Sequence, residues 1–178
     1  MGKQNSFVFK VMIIVAWIIF VGLSIEAGGL LVNFVFSLFK PEVVKNLYNK
    51  LDLSEMYNRS KEVFIMMYSF ILVIAILKSI LFYTVIQLTS KLDLAKPFSS
   101  FVASKIMTIC YFTLSIGLLS YVAKEIVQNL MNLGYTIDQL NPYWVDSQAY
   151  ILMSAVIYII ATIFKRGIEI QTENDSTI

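Results

Sequence analysis

The chain has 178 residues, of which 58% are hydrophobic and only 15% charged, with a net charge of +2. Soluble domains carry about a quarter charged residues, so this balance excludes an ordinary soluble globule. The 14 basic residues are scattered, which excludes a surface built to neutralise a run of phosphates, and no direct nucleic-acid binding is expected.

Four long apolar runs make the chain all-α and polytopic, because a bilayer core about 30 Å thick is crossed by about 20 apolar residues of helix. The expected organisation is a single membrane domain over 1–178, a four-helix bundle with transmembrane helices at about 11–39, 63–88, 104–122 and 149–165. Short amphipathic helices in the outer loops and a cytoplasmic tail at 166–178 complete it. The lipid bilayer is the first expected partner.

The first run is longer than the apolar region of a signal peptide and has no small-residue cleavage site, so it stays in the mature protein. Pro41 stops it. In the charged stretch that follows, Val44, Leu47, Tyr48 and Leu51 recur at helical spacing, predicting a short helix that lies along the membrane surface. The second run contains neither proline nor glycine. Pro97, in Lys96-Pro97-Phe98-Ser99-Ser100, suits the first turn of a third helix starting near Pro97 or Ser100. Ile126, Leu130 and Leu133 carry its stripe past the apolar core to Gly134, so it projects beyond the bilayer. Tyr143, Trp144 and Tyr150 stand where an interfacial aromatic belt precedes the fourth run.

With the N-terminus inside, the cytoplasmic flanks collect Lys3, Lys10, Lys91, Lys96, Lys105, Lys165 and Arg166. The outer side holds Lys40, Lys45, Lys50, Arg59, Lys61 and Lys124. The lysines of the second loop and the Lys165-Arg166 pair favour both termini inside, against the basic residues of the first loop.

Ionisable residues inside spans cost at least a few kcal/mol and are the default place to look for function. They are Glu26 and Lys78. Counted at 1.5 Å per residue from the start of each run, they differ in depth by over roughly 10 Å, and a direct ion pair needs shifted boundaries or strong tilt. Snorkelling toward the headgroups beyond Leu88 accounts for Lys78, and contact with water near the outer end of a tilted helix accounts for Glu26. A buried proton or cation site is the functional alternative. Ser24, Ala27, Gly28 and Gly29 form a small-residue cluster for close helix packing, with a hinge or kink as the other reading.

The sequence has no histidine, which excludes His-based metal sites, Ser-His-Asp triads and HExxH arrangements. No phosphate loop or nucleotide glycine fingerprint appears. The chain is therefore read as no enzyme, with no cofactor and no metal. Cys110, the single cysteine, reads as a small buried hydrophobe. Met1-Gly2-Lys3-Gln4-Asn5-Ser6 fits the myristoylation pattern and Asn58-Arg59-Ser60 the glycosylation triplet; both read as coincidence or as uninformative.

The ending Phe164-Lys165-Arg166-Gly167-Ile168-Glu169-Ile170-Gln171-Thr172-Glu173-Asn174-Asp175-Ser176-Thr177-Ile178 resembles that of the YoaS-type family, small bacterial four-helix membrane proteins catalogued as a domain of unknown function. Lys96-Pro97-Phe98 is similar to that family's Gly-x-Pro-Phe step into the third helix. The asparagine and Leu-Arg pair usual after the step are replaced here by Ser100-Phe101-Val102-Ala103-Ser104-Lys105. The resemblance singles out Pro97, Phe98, Phe164, Gly167, Glu169, Glu173 and Thr177. It implies a bacterial inner-membrane protein, often encoded beside a Cro-type helix-turn-helix regulator, that binds a cytoplasmic transcription factor. Glu169 and Glu173 share a helical face that can meet a basic regulator surface, although the tail also reads as a solvated extension of the fourth helix. The expectation is a non-enzymatic sensor or regulator. The alternatives are a small transporter or channel subunit using Glu26 and Lys78, and a structural subunit of a larger complex. A homo-oligomer is compatible with each.

Overall fold

The computed structural model describes residues 3–92 and 97–175, with side chains over 7–92 and 97–173. Its helices are α1 (Lys3–Phe39), α2 (Ser54–Arg59), α3 (Lys61–Lys91), α4 (Ser100–Asn132) and α5 (Ser147–Asp175). Single 3-10 turns occupy Pro41–Lys45, Tyr48–Lys50 and Asp138–Tyr143. Four helical segments, all but α2, are long and apolar enough to cross a membrane.

Local chemistry sets the ends. Ser60 caps α3 by accepting a hydrogen bond from the Val63 amide at 3.3 Å, and Ser99 caps α4 by accepting from the Val102 amide at 3.3 Å, each satisfying a backbone donor that lacks a partner in the first turn. Pro97 lies just ahead of that cap, so α4 starts at Ser100 as its sequence predicts. It runs past its apolar core to Asn132, where Gly134 turns the chain at φ +82°, a left-handed conformation that glycine adopts without a Cβ clash.

The long helices pack in sequence, α1 on α3, α3 on α4 and α4 on α5. This order places α1 and α5 at the edges of the four-helix arrangement. Its reason is visible in α1, which is apolar nearly all round and largely exposed, a surface suited to lipid and not to one buried stripe. The α1–α3 contact is antiparallel. Ser24 and Ser79 share a hydrogen bond at 2.9 Å, Phe20 meets Tyr83 at 5.6 Å between ring centroids, and Phe34 stacks on Tyr68 at 5.3 Å. The Tyr68 hydroxyl donates to the Leu30 carbonyl at 3.0 Å, satisfying a polar tip buried among apolar neighbours. Between α4 and α5 the backbones close at Gly117, where an added Cβ would stand 2.9 Å from the Ile151 nitrogen. Small residues allow such close approach between apolar helices. Nearby, the Cys110 thiol donates to the Ser154 carbonyl at 3.3 Å, and Cys110 is buried as its sequence reading predicts.

The chain between α1 and α3 corrects two expectations. Asn49 and Lys50 take φ of 58° and 61°, left-handed values that interrupt a helix, so the stretch forms two 3-10 turns and the short α2. Its apolar residues do not lie on lipid: Val44, Leu47, Leu51, Leu53 and Met56 are buried in the same core as Phe64 and Tyr68. The expected aromatic belt is inverted as well. Trp144 is 1% exposed and belongs to this core, because the 3-10 turn at Asp138–Tyr143 folds in under the loop that follows α4.

The two loop segments form one cap. Arg59 donates from one guanidinium nitrogen to the Gly134 carbonyl at 2.9 Å and from the other to the Leu133 carbonyl at 2.7 Å, with its guanidinium 4.0 Å from the Tyr135 ring centroid. The Asp52 amide donates to Gln139 at 3.2 Å. Those carbonyls lie just past the α4 C-terminus, where the helix dipole also favours a cation. Arg59 and Ser60, the last two residues of the glycosylation triplet, are thus structural.

Candidate functional site

Just below the cap, Glu26 of α1 and Lys78 of α3 line one cavity of about 370 Å³. The register explains their meeting. Glu26 lies two residues from Ser24 and Lys78 one residue from Ser79, both displaced toward the cap, so their levels differ by about 1.5 Å of helical rise. The depth difference of over roughly 10 Å expected from the sequence is therefore overturned. The first apolar run is longer than a bilayer is thick, so its start does not mark the plane at which the second run ends.

Lys78 also points the other way from the snorkelling expected of it. Helical side chains lean toward the helix N-terminus, and α3 begins at the cap. Its ammonium lies 5.8 Å from the Tyr150 ring centroid on α5 and faces the cavity shared with Asn49, Lys50, Gln139 and Tyr143. Tyr143 and Tyr150, expected at the lipid interface, are thus a cavity wall and the seat of a cation. Glu26 and Lys78 are partly buried, and no ion pair joins them among the described residues. Asn49, Lys50, Gln139 and Pro142 are exposed, so the mouth opens at the cap.

The glycine pair beside Glu26 divides in role. A Cβ on Gly29 would stand 2.5 Å from the Tyr48 ring, whereas Gly28 has nothing within 4 Å. The close packing there is by an aromatic residue of the cap and not by a neighbouring helix.

At the opposite end, residues picked out from distant stretches come together. Phe98, one residue after Pro97, has its ring 5.3 Å from that of Phe164, and a Cβ on Gly167 would stand 2.6 Å from two Phe98 ring carbons. Gly167 therefore gives the Phe98 ring a seat on the α5 backbone. Glu169 pairs with Arg166 at 2.7 Å, and Glu173 follows one turn later on the same helix, which continues unbroken to Asp175. Stretches named as a tail are thus helical. A groove of about 410 Å³ between Ser104 and Lys165 lies beside this contact. Lys105 donates to Gln87 at 2.6 Å close by. Thr177, Lys96 and the Met1-Gly2 start of the myristoylation pattern lie outside the described residues.

Sequence reasoning passed over Gly117 and Gln139, and read Tyr48 only as part of a surface helix. Only Gly117 carried a signal, as a lone glycine inside an apolar run. Among the described residues no cluster of His, Cys, Asp or Glu is arranged to hold a metal.

Four helices long and apolar enough to cross a membrane, with a polar cavity walled by two of them and by a folded cap, are the candidate spans of a multi-pass membrane protein. The sequence profile of the DUF2975 family, described as a protein of unknown function, matches residues 48–178, and the chain belongs to that family. The match takes in Lys78, Tyr143, Phe98 and Gly167 and leaves α1 with Glu26 outside it. No curated protein and no solved structure matches the chain.

Proposed function

We propose that this protein is a non-enzymatic sensor and regulator of the bacterial inner membrane, with both termini cytoplasmic. The cavity at the cap receives an external signal, and the far end of α5 holds a cytoplasmic partner. The observation that carries this reading is α5 itself. It runs without interruption from Ser147 to Asp175, with Tyr150 over Lys78 near one end and the Arg166, Glu169 and Glu173 charges near the other. A rigid helix is a physical connection between two sites, provided it has two arrangements that both sites can bias. The Phe98 contact with Gly167 supplies a candidate for the element that shifts, since an aromatic ring seated on a bare backbone either fits or does not.

The partner proposed is a helix-turn-helix transcription factor, on the strength of the YoaS-type resemblance and of the acidic face near the end of α5. Carboxylates presented at that end complement a basic protein surface and speed its capture. Co-purification from the native host, with and without residues 165–178, tests the reading. A DNA-binding protein retained by the full chain and lost on truncation is the expected result.

One observation favours a second reading, a small transporter or channel subunit: the cavity reaches Glu26 from the cap. That reading expects Glu26→Gln to abolish function while partner capture persists. The structural-subunit reading is favoured where the outer amphipathic helices are buried against another protein. Val44, Leu47 and Met56 are instead covered by the chain's own core.

A further inference from the structure

We infer that the cap-end cavity binds a small zwitterionic amino carboxylate, an amino acid or close analogue, with its ammonium on Glu26 and its carboxylate on Lys78. The inference rests on reading that cavity as the sensor's input and names the chemical class of the signal. Its basis is a pair of opposite charges that share one cavity at nearly the same level and yet form no ion pair.

Two partly buried charges gain most by closing on each other, because each has lost part of its hydration. Glu26 and Lys78 share the cavity without pairing. The Ser24–Ser79 hydrogen bond locks the α1–α3 register about one turn or less away, and the Tyr150 ring draws the Lys78 ammonium toward α5. A group placed between them that carries both signs pairs each charge. A single anion or a single cation leaves one of them unpaired.

The rest of the lining agrees. Lys50 adds a second ammonium, Asn49 and Gln139 contribute amides, and Tyr143 a phenol. With one carboxylate against two ammonium groups, the cavity favours a ligand whose carboxylate character is the stronger. Its volume of about 370 Å³ falls inside the range of roughly 300–1,000 Å³ usual for ligand clefts. Asn49 and Lys50 stand at its mouth with consecutive left-handed backbones, a strained conformation that recurs at ligand-holding loops.

The test uses the full-length protein in phosphatidylcholine nanodiscs. Isothermal titration is run with the common L-amino acids one at a time, and with acetate and methylammonium as single-charge probes. At least one amino acid is expected to bind while acetate and methylammonium at equal concentration do not. Glu26→Gln and Lys78→Met should each weaken that binding at least about thirtyfold, the loss typical when one partner of a buried charge pair is removed. Lys78→Arg should keep most of it, which separates loss of the charge from loss of the fold. Acetate or methylammonium binding as tightly as any amino acid would overturn the inference, as would no amino acid binding at all, or unchanged affinity in both variants. A Glu169→Lys, Glu173→Lys chain should bind the amino acid normally. Failure at the cavity and failure at the partner end are therefore read independently.

Discussion

Phe98 and Gly167 are in contact so close that a single methyl group on the glycine would stand 2.6 Å from two carbons of the ring. The contact joins the start of α4 to the part of α5 that lies beyond its apolar section. Gly167→Ala is expected to force the ring outward and lower stability by about 1 kcal/mol, the low end of overpacking costs, since Phe98 is 39% exposed and has room to swing. In a Phe98→Ala background the same substitution should cost nothing, because neighbouring changes are not additive. Thermal unfolding in detergent of the four proteins in this cycle measures the coupling.

The glycines of the long apolar helices should separate by what faces them. Gly117→Ala pushes a Cβ to 2.9 Å from a backbone nitrogen of α5, an atom that cannot rotate away, and is expected to cost about 1–3 kcal/mol or to prevent folding. Gly29→Ala meets the Tyr48 ring and should be rescued by Tyr48→Ala. Gly28→Ala meets open space and should be neutral or stabilising by up to about 1 kcal/mol through helix propensity. Melting temperatures of the three variants rank them.

Arg59 ties the two halves of the cap through a planar fork on two successive carbonyls. Arg59→Lys keeps the charge and loses the fork, so it should behave nearly as Arg59→Ala does. Each is expected to cost about 1–3 kcal/mol and to accelerate proteolytic cleavage between Gly134 and Asp146, which limited digestion followed by mass spectrometry detects.

Acid should loosen the cap at one defined point. Hydrogen bonds from the Ser54 hydroxyl and amide hold the Asp52 carboxyl below its usual range. Because the folded value is depressed, this contribution is present above the unfolded pKa near 3.9 and is lost as pH falls through the folded one. Exchange of the Ser54 amide, corrected for its intrinsic rate, should therefore rise as pH drops below about 4. Asp52→Asn should remove that pH dependence. Asp52 is exposed, so the effect is local and small.

The four long helices and the α4 start at Ser100 were legible because apolar run length, proline and cap chemistry act within a few residues. So was the run of α4 to just before Gly134. Glu26 and Lys78 could be named for the same reason, as charges in apolar runs. Their shared level was not legible, since it depends on the Ser24–Ser79 register and not on where each run begins. The cap was misread because Val44, Leu47 and Leu51 have helical spacing whether they cover lipid or protein, and the left-handed turn at Asn49 and Lys50 leaves no mark on that spacing. Phe98 and Gly167 were singled out separately, by resemblance. Only tertiary packing shows that they touch.

The decisive measurement is quantitative affinity capture from native membranes, with the full chain, a chain ending at Phe164, and a chain carrying Glu169→Lys with Glu173→Lys. The charge-reversed chain guards against loss through misfolding, because both substitutions lie on the exposed face of α5. A DNA-binding protein held by the full chain and released by both variants is the predicted result. Equal capture by all three chains, or no DNA-binding protein on any of them, would contradict the regulatory reading.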